Sequence, residues 1–334
     1  MKKLSKLRLN VLNEQGLEEK QMNALRGGNN CYCSCYWANQ GGSSIEANRD
    51  ANYIIKVILF ILLCSYKINA QVILIPISRH VSNMTTVDSG NIRIWYALNA
   101  TDINNSETYD DYQRLEIGVY LSRYYSYFIY YSDSLHKVMR EEHSNVQGRS
   151  VWMGVHGKNE FWSEYQFSEY YKDFSKNVFT EYAVMPMYMH RYNCHYSEDI
   201  PIQNWKLQND TLTVVDYLCQ KATCRFRGRD YTAWFTVDIP ISNGPWKFGG
   251  LPGLILKVYD NEKRYIFECT RVEIHEKKYP ITLFDYKHYE KIDRKKLLQF
   301  QKAIHDDYFK VAGVEFTSIG KQPEKIPYNP LELE

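Results

Sequence analysis

The sequence predicts an α+β chain that is mainly β. The expected body is a curved antiparallel sheet, or a partly open β-barrel-like meander, with a helical insert and a C-terminal helix. An N-terminal leader helix and a disordered core peptide lie outside that fold. Three observations predict it. Tyrosine reaches 29 of 334 residues and, with 14 Phe and 7 Trp, brings the aromatic fraction to 15%, which suits strands and wet binding faces better than a helical bundle. Runs of period-2 alternation separated by short polar turns recur from Gln71 onward. Residues from about 133 to 182 interrupt that period. The formal charge is +2, from 41 basic and 39 acidic residues, which argues against polyanion partners and predicts no nucleic-acid binding.

Residues 1–28 are charged, helix-forming sequence with Leu17, Met22 and Leu25 on one broad face, ending in Gly27 and Gly28. A helix C-cap alone would account for the glycine pair. Residues 29–53 form a Cys-rich segment and linker, in which Cys31, Cys33 and Cys35 occupy every second position. That spacing puts three thiols on one side of an extended chain, too close for relaxed disulfides among themselves and unlike the CxxC pattern of structural zinc. Residues 54–70 then show Lys56, the apolar run Val57 to Cys64 and the exit "INA", the order of a secretory signal cut between Ala70 and Gln71. The apolar run is too short for a membrane-spanning helix, which needs roughly twenty residues. A buried strand, or lipid attachment at Cys64, are the alternatives.

On "KKLSKLRLN", "MNALRGG" and the Cys-rich stretch behind them, residues 1 to about 45 resemble the precursor of a ribosomally synthesised, modified peptide with a double-glycine leader, of the kind encoded beside radical-SAM maturation enzymes. The resemblance implies two partners: a radical-SAM maturase acting on a core that carries Cys31, Cys33 and Cys35, and a peptide-exporting transporter whose cysteine peptidase cuts after Gly28. Only glycine enters a narrow cleavage channel without a Cβ clash.

The body from Gln71 onward reads as "QVILIPIS", "GNIRIWYAL" and "EIGVYLSRYYSYFIYYSD" in strands. The tyrosine run "YYSYFIYY" is read as a two-sided strand, with stacking on sugar or peptide as the functional alternative. Within the helical insert fall "DSLHKVMREEHSNV" and "FSEYYKDFSKNVF". A meander follows from Asn204: "NWKL", turn "QND", "TLTVVDYLCQKA", "CRFRG", turn "RD", "YTAWFTVDIPI", "GLILKVYD", turn "NEK" and "RYIFECTRVEI". Tyr231, Ala233, Phe235, Val237 and Ile239 are expected on one face of their strand. An amphipathic helix runs from Arg294 to about Phe309, and the tail "QPEKIPYNPLELE" is expected to be poorly ordered.

The segment Tyr217 to Asp260 resembles the GLPGLI family, whose hexapeptide is Gly250, Leu251, Pro252, Gly253, Leu254 and Ile255 here. The resemblance extends roughly from Gln71 to Glu334 and implies an exported protein of Gram-negative type that begins with a signal peptide. The chain therefore reads as a peptide precursor joined in frame to a GLPGLI protein whose signal survives at 54–70. In physical terms, Pro245 and Pro252 fix φ while Gly249, Gly250 and Gly253 allow φ above zero, so the motif predicts a rigid, sharply turned crossover. Trp246 and Phe248 are expected to cover one end of the core.

Candidate binding residues are Arg225, Arg227, Arg229, Trp234, Trp246, Lys247 and Phe248. The three arginines alternate, so they are expected on one side, suited to gripping a carboxylate or sulfated sugar or else to forming a salt-bridged edge with Asp230. Cys194, Cys219, Cys224 and Cys269 allow two disulfides by any of three pairings, or remain buried thiols. His190, Cys194 and His195 lie close in sequence, yet no further ligand stands at a recognised spacing, so no catalytic residue, metal or cofactor is expected. The function expected is that of an exported, non-catalytic binding or accessory protein, secreted or periplasmic. It would act in peptide export, maturation or immunity, with an unknown ligand or envelope protein as partner of residues 71–334. The alternatives are an accidental fusion of two independent proteins, or a Cys-dependent enzyme acting on peptide or glycan.

Overall fold

A computed structural model describes residues 79, 84–142, 162–186, 188–313 and 328–334. The leader, Cys-rich core and signal expected over 1–70, and the strand "QVILIPIS", lie outside the described residues. In chain order the strands are β1 (Thr85–Leu98), β2 (Asp111–Gly118), β3 (Leu121–Ser126), β4 (Ser168–Asp173), β5 (Val178–Ala183), β6 (Cys194–Asp199), β7 (Lys206–Val214), β8 (Tyr217–Phe226), β9 (Arg229–Thr236), β10 (Leu254–Asp260), β11 (Ile266–Leu283) and β12 (Glu290–Lys291). The helices are α1 (Tyr127–Glu142), α2 (Glu164–Phe167), α3 (Arg294–Asp306) and α4 (Tyr308–Ala312).

The protein is mainly β: a mixed sheet of 12 strands in the order β12-β6-β5-β4-β3-β2-β1-β11-β10-β9-β8-β7, not closed into a barrel. It is two meanders placed side by side. Strands β1 to β6 pair successively, β7 to β11 do the same, and the seam is the antiparallel pairing of β1 with β11. Short turns make consecutive strands antiparallel, and the parallel β12–β6 contact is the exception. Three register shifts interrupt the β1–β11 ladder, at Thr86/Asp88, Gly90/Ile92 and Trp95/Tyr96, and such bulges bend a sheet. At one of them Gly90 lies so close to β2 that a Cβ would stand 2.0 Å from the Ile117 carbonyl oxygen.

The segment 237–253 packs as a plug against both meanders, with Lys247 meeting Tyr196 of β6 and Phe248 meeting Tyr231 of β9 and Phe267 of β11. Phe248 and Trp246 are buried there among Phe226, Tyr231 and Phe267. The Lys172 ammonium on β4 donates to Asn243 Oδ1 (2.9 Å) and to the Phe248 carbonyl, tying the first meander to this plug. On the opposite side of the sheet a smaller apolar group, Tyr171, Phe284 and Tyr286, packs near a buried ionic network in which Arg123 and Arg79 both engage Glu169.

Several expectations are corrected. The run "YYSYFIYY" is not one strand: β3 ends at Ser126, whose Oγ accepts from the Ile129 N–H and caps α1. The segment "FSEYYKDFSKNVF" is the hairpin β4–β5 and not helical insert, because buried aromatics at Tyr170, Tyr171 and Phe179 pack on both sheet faces. Gln208, Asn209 and Asp210 do not turn the chain. They sit in a register shift of β7, an edge strand, and the turn falls at Val215–Asp216, both with positive φ. Val237 is exposed because β9 ends at Thr236. The expected C-terminal helix breaks at Asp307 into α3 and α4.

The tail is the largest departure. Residues 328–334 are placed against the body, with Leu331 and Glu332 buried.

Candidate functional site under the C-terminal tail

The sheet ends meet at a charged cluster. Lys247, in the plug, is 1% exposed, and its ammonium donates to Tyr196 Oη of β6 at 2.6 Å and pairs with Glu332 of the tail. Glu198 at the end of β6 pairs with Arg227 of the β8–β9 turn (2.8 Å), with Lys247 (3.6 Å) and with Arg294 at the start of α3 (3.8 Å). Arg294 also pairs with Glu332. Burial pushes the Lys247 ammonium down to about 8; Glu181 and Glu198 pull it back up, while Arg227 and Arg294 press it lower. Burial likewise raises the Glu181 carboxyl, opposed by Lys247. A buried charge persists only when paired and hydrogen-bonded, so this cluster needs its carboxylates.

The tail crosses the cluster as a segment gripped through its main chain. Arg229, buried in β9 and paired with Asp260 at 3.2 Å, donates to the Pro330 carbonyl (2.7 Å) and to Asn329 Oδ1 (2.6 Å). The hydroxyls of Tyr165 and Tyr265 converge on the Asn329 carbonyl, and Tyr231 Oη donates to the Leu331 carbonyl at 3.0 Å. Three successive tail carbonyls thus receive side-chain donors. Among the described residues, the main-chain bond between tail and body runs from Leu333 N–H to the Arg227 carbonyl, 2.9 Å. Gly228 matters at that point: with φ +83° in the β8–β9 turn, it lacks a Cβ that would lie 2.8 Å from Leu333 Cβ. Beneath the tail a cavity of about 30 Å³ is lined by Glu164, Tyr170, Glu181 and Leu297 among others. That is room for about one or two waters, far below the roughly 300 Å³ of a small-molecule pocket.

Of the residues singled out from sequence, Arg227, Arg229, Trp246 and Lys247 come together here, and Phe248 packs against Trp246 and Tyr231. The three arginines do not share a side. Arg225 is exposed and pairs with Asp230 (3.2 Å), Arg227 takes φ +48° in the turn, and Arg229 points inward. A tight turn, not a continuing strand, ends the alternation. Trp234 lies apart, half-buried beside Lys221. In the hexapeptide Leu251, Leu254 and Ile255 are core residues, Pro252 is exposed, and a Cβ at Gly253 would lie 1.9 Å from the Thr236 carbonyl oxygen. Cys194, Cys219, Cys224 and Cys269 are free and buried, and burial pushes the Cys194, Cys224 and Cys269 thiols up to about 12, leaving them un-ionised at neutral pH. His190 is exposed in a single 3-10 turn, and the His195 ring lies 5.4 Å from that of Tyr182 in a tilted arrangement. Among the described residues no group of three or more His, Cys, Asp or Glu is arranged to hold a metal. No helix there is long and apolar enough to cross a membrane.

Sequence reasoning missed Glu198, Arg294 and Glu332. The available signal was the alternation "LELE" in a segment that had been expected to be poorly ordered.

Residues 225–257 match the family model described as "Protein of unknown function (Porph_ging)", a stretch that contains the hexapeptide and the β8–β9 turn. No curated relative matches the chain. Among solved structures, PNGF-II in its P21 crystal form is similar at 15% identity with a TM-score of 0.40, covering 64% of this chain and 33% of that one. The C2 form gives the same identity and TM-score, covering 63% and 32%. The chain spans about a third of the length of the solved structures it matches.

Proposed function

We propose that residues 71–334 form an exported, non-catalytic binding or accessory protein of the GLPGLI kind, joined to a modified-peptide precursor and acting in that peptide's export, maturation or immunity. The observation that carries the binding role is the groove at the meeting of the sheet ends. It holds a polypeptide segment through Arg229, Tyr231, Tyr165 and Tyr265 donors to its carbonyls and through Lys247 and Arg294 on one acidic side chain. Main-chain recognition with a single charged determinant suits a protein that holds peptide without transforming it. The GLPGLI string serves this arrangement as scaffold, setting Trp246 and Lys247 at the end of the core. The resemblance of residues 1–45 to a modified-peptide precursor supports the rest of the reading, in which a cysteine-peptidase transporter and a radical-SAM maturase act on those residues and the body works in the periplasm or outside the cell. Mass spectrometry of the natively expressed protein tests this. New N-termini immediately after Gly28 and at Gln71 are expected, and a single uncut chain would overturn the exported arrangement.

A further inference from the structure

The tail segment 328–334 is held as a ligand is held. It adds no strand to the sheet, and its contacts are mostly to side-chain donors of the body. Glu332 enters the cluster while Leu333 and Glu334 face outward, Leu333 being 56% exposed. Without the tail, Lys247 and Arg294 would lose Glu332 and keep, among the described residues, Glu198 as their ion-pair partner, at 3.6 and 3.8 Å, a carboxylate that Arg227 already holds at 2.8 Å. An ammonium as deeply buried as Lys247 is costly without a close carboxylate, so the groove selects an acidic occupant. Because the donors address carbonyls, that occupant is defined by its extended backbone and by one correctly placed carboxylate.

We infer that the groove beneath residues 328–334 is an exchangeable receptor for an extended acidic polypeptide segment, with the chain's own tail as resident occupant. This rests on the binding role proposed above and names its ligand class. Arg229, Tyr165, Tyr265 and Tyr231 hold the guest's backbone. Lys247 and Arg294 select an acidic side chain two residues beyond a proline-like bend, as Glu332 stands after Pro330. Gly228 leaves room for the guest beside the β8–β9 turn.

The test uses the full chain with one protease recognition sequence introduced between residues 313 and 328. After the cut, a fluorescent peptide of sequence YNPLELE should exchange into the protein and raise its anisotropy. The same peptide carrying the Glu332→Gln change should bind at least tenfold more weakly, as loss of a charge-assisted pair implies. A Leu333→Ser peptide should bind within about twofold, since that side chain is exposed. A cut protein that keeps its near-ultraviolet circular dichroism yet takes up no peptide, or takes up the Gln peptide equally well, would overturn the inference. If release of the tail unfolds the cut protein, amide exchange of the uncut chain decides. The Leu333 amide exchanging well ahead of the amides of β6 and β9 supports an exchangeable occupant, and its exchanging only with global unfolding refutes it. Correct trimming without peptide uptake would remove this inference alone, whereas peptide uptake by a chain that is never trimmed would remove only the export reading.

Discussion

Gly253 shows how a single position carries the hexapeptide. Its Cα lies against the end of β9, and any Cβ would meet backbone, the Thr236 carbonyl oxygen at 1.9 Å, which no side-chain rearrangement relieves. At Gly249 the nearest atom would be 3.5 Å away, ordinary contact. Gly253→Ala should therefore destabilise the protein by about 1–3 kcal/mol, as overpacking does, while Gly249→Ala should stay within about 0.5 kcal/mol; urea unfolding of the two variants checks this. Both residues look alike in sequence, where glycine signalled a turn but not which glycine faces backbone. Lys172 was not legible at all. Burial pushes its ammonium down to about 7, although Asn243 Oδ1 and the Phe248 carbonyl accept from it. Below pH 7 the folded and unfolded chains both hold this proton and the full cost of burying the charge is present. Between pH 7 and the ordinary lysine range the unfolded chain holds more protons, so stability rises with pH. From pH 7 to 8 the folding free energy should grow by on the order of 1 kcal/mol, and Lys172→Met should lose most of that slope in urea titrations at the two pH values.

At the level of elements, the antiparallel meander from Asn204 was legible because alternation and turn residues agree there, and β10 falls where the pattern put it, whereas "RD" belongs to β9 and not to a turn, the run "TLTVVDYLCQKA" spans the β7–β8 turn, and β11 continues past Ile274 to Leu283. The misplaced turn between β7 and β8 has a clear cause. "QND" is better turn sequence than "VD", yet the pairing of Val214 with Tyr217 forces Val215 and Asp216 to φ +48° and +66°. A two-residue hairpin with both φ positive is normally filled by Asn-Gly or Asp-Gly, and a β-branched residue there is strained. The exposed Asp216 is the position to relieve: Asp216→Gly should raise stability by roughly 0.5–1 kcal/mol, read as a higher midpoint in thermal unfolding. The β4–β5 hairpin was hidden for another reason. Tyr170 shares one face with the buried Ser168 and Lys172 and Tyr171 shares the other with the buried Glu169, so both faces mix aromatic with polar residues and no apolar/polar alternation marks the strand. The tail escaped because its contacts are supplied by residues about 100 positions earlier, such as Arg229 and Tyr231, which no local pattern reveals.

For the whole molecule, a mainly β, curved and unclosed sheet was legible from composition and period, but the joining of its two halves was not. Local patterning specifies each meander; nothing local says that Thr85 pairs with Leu283 and Leu98 with Phe267. The charged groove depends on that joining, because it forms only where the bent halves meet across the plug. Pairings so distant in sequence carry a large loop-closure cost and slow the search. Refolding from urea should accordingly take on the order of a second or longer, with burial of Trp95 at the seam lagging the recovery of strand signal; complete refolding within a millisecond would contradict the architecture.

The seam also constrains how such a chain travels. In a polypeptide threaded through a narrow pore N-terminus first, β1 emerges with only its hairpin neighbour β2 available, and its other edge stays open until nearly the entire remaining length has followed. Over that interval a bare row of amides and carbonyls invites pairing with any passing strand, so the unpaired edge of β1 is where mispairing of this chain concentrates until its distant mate arrives.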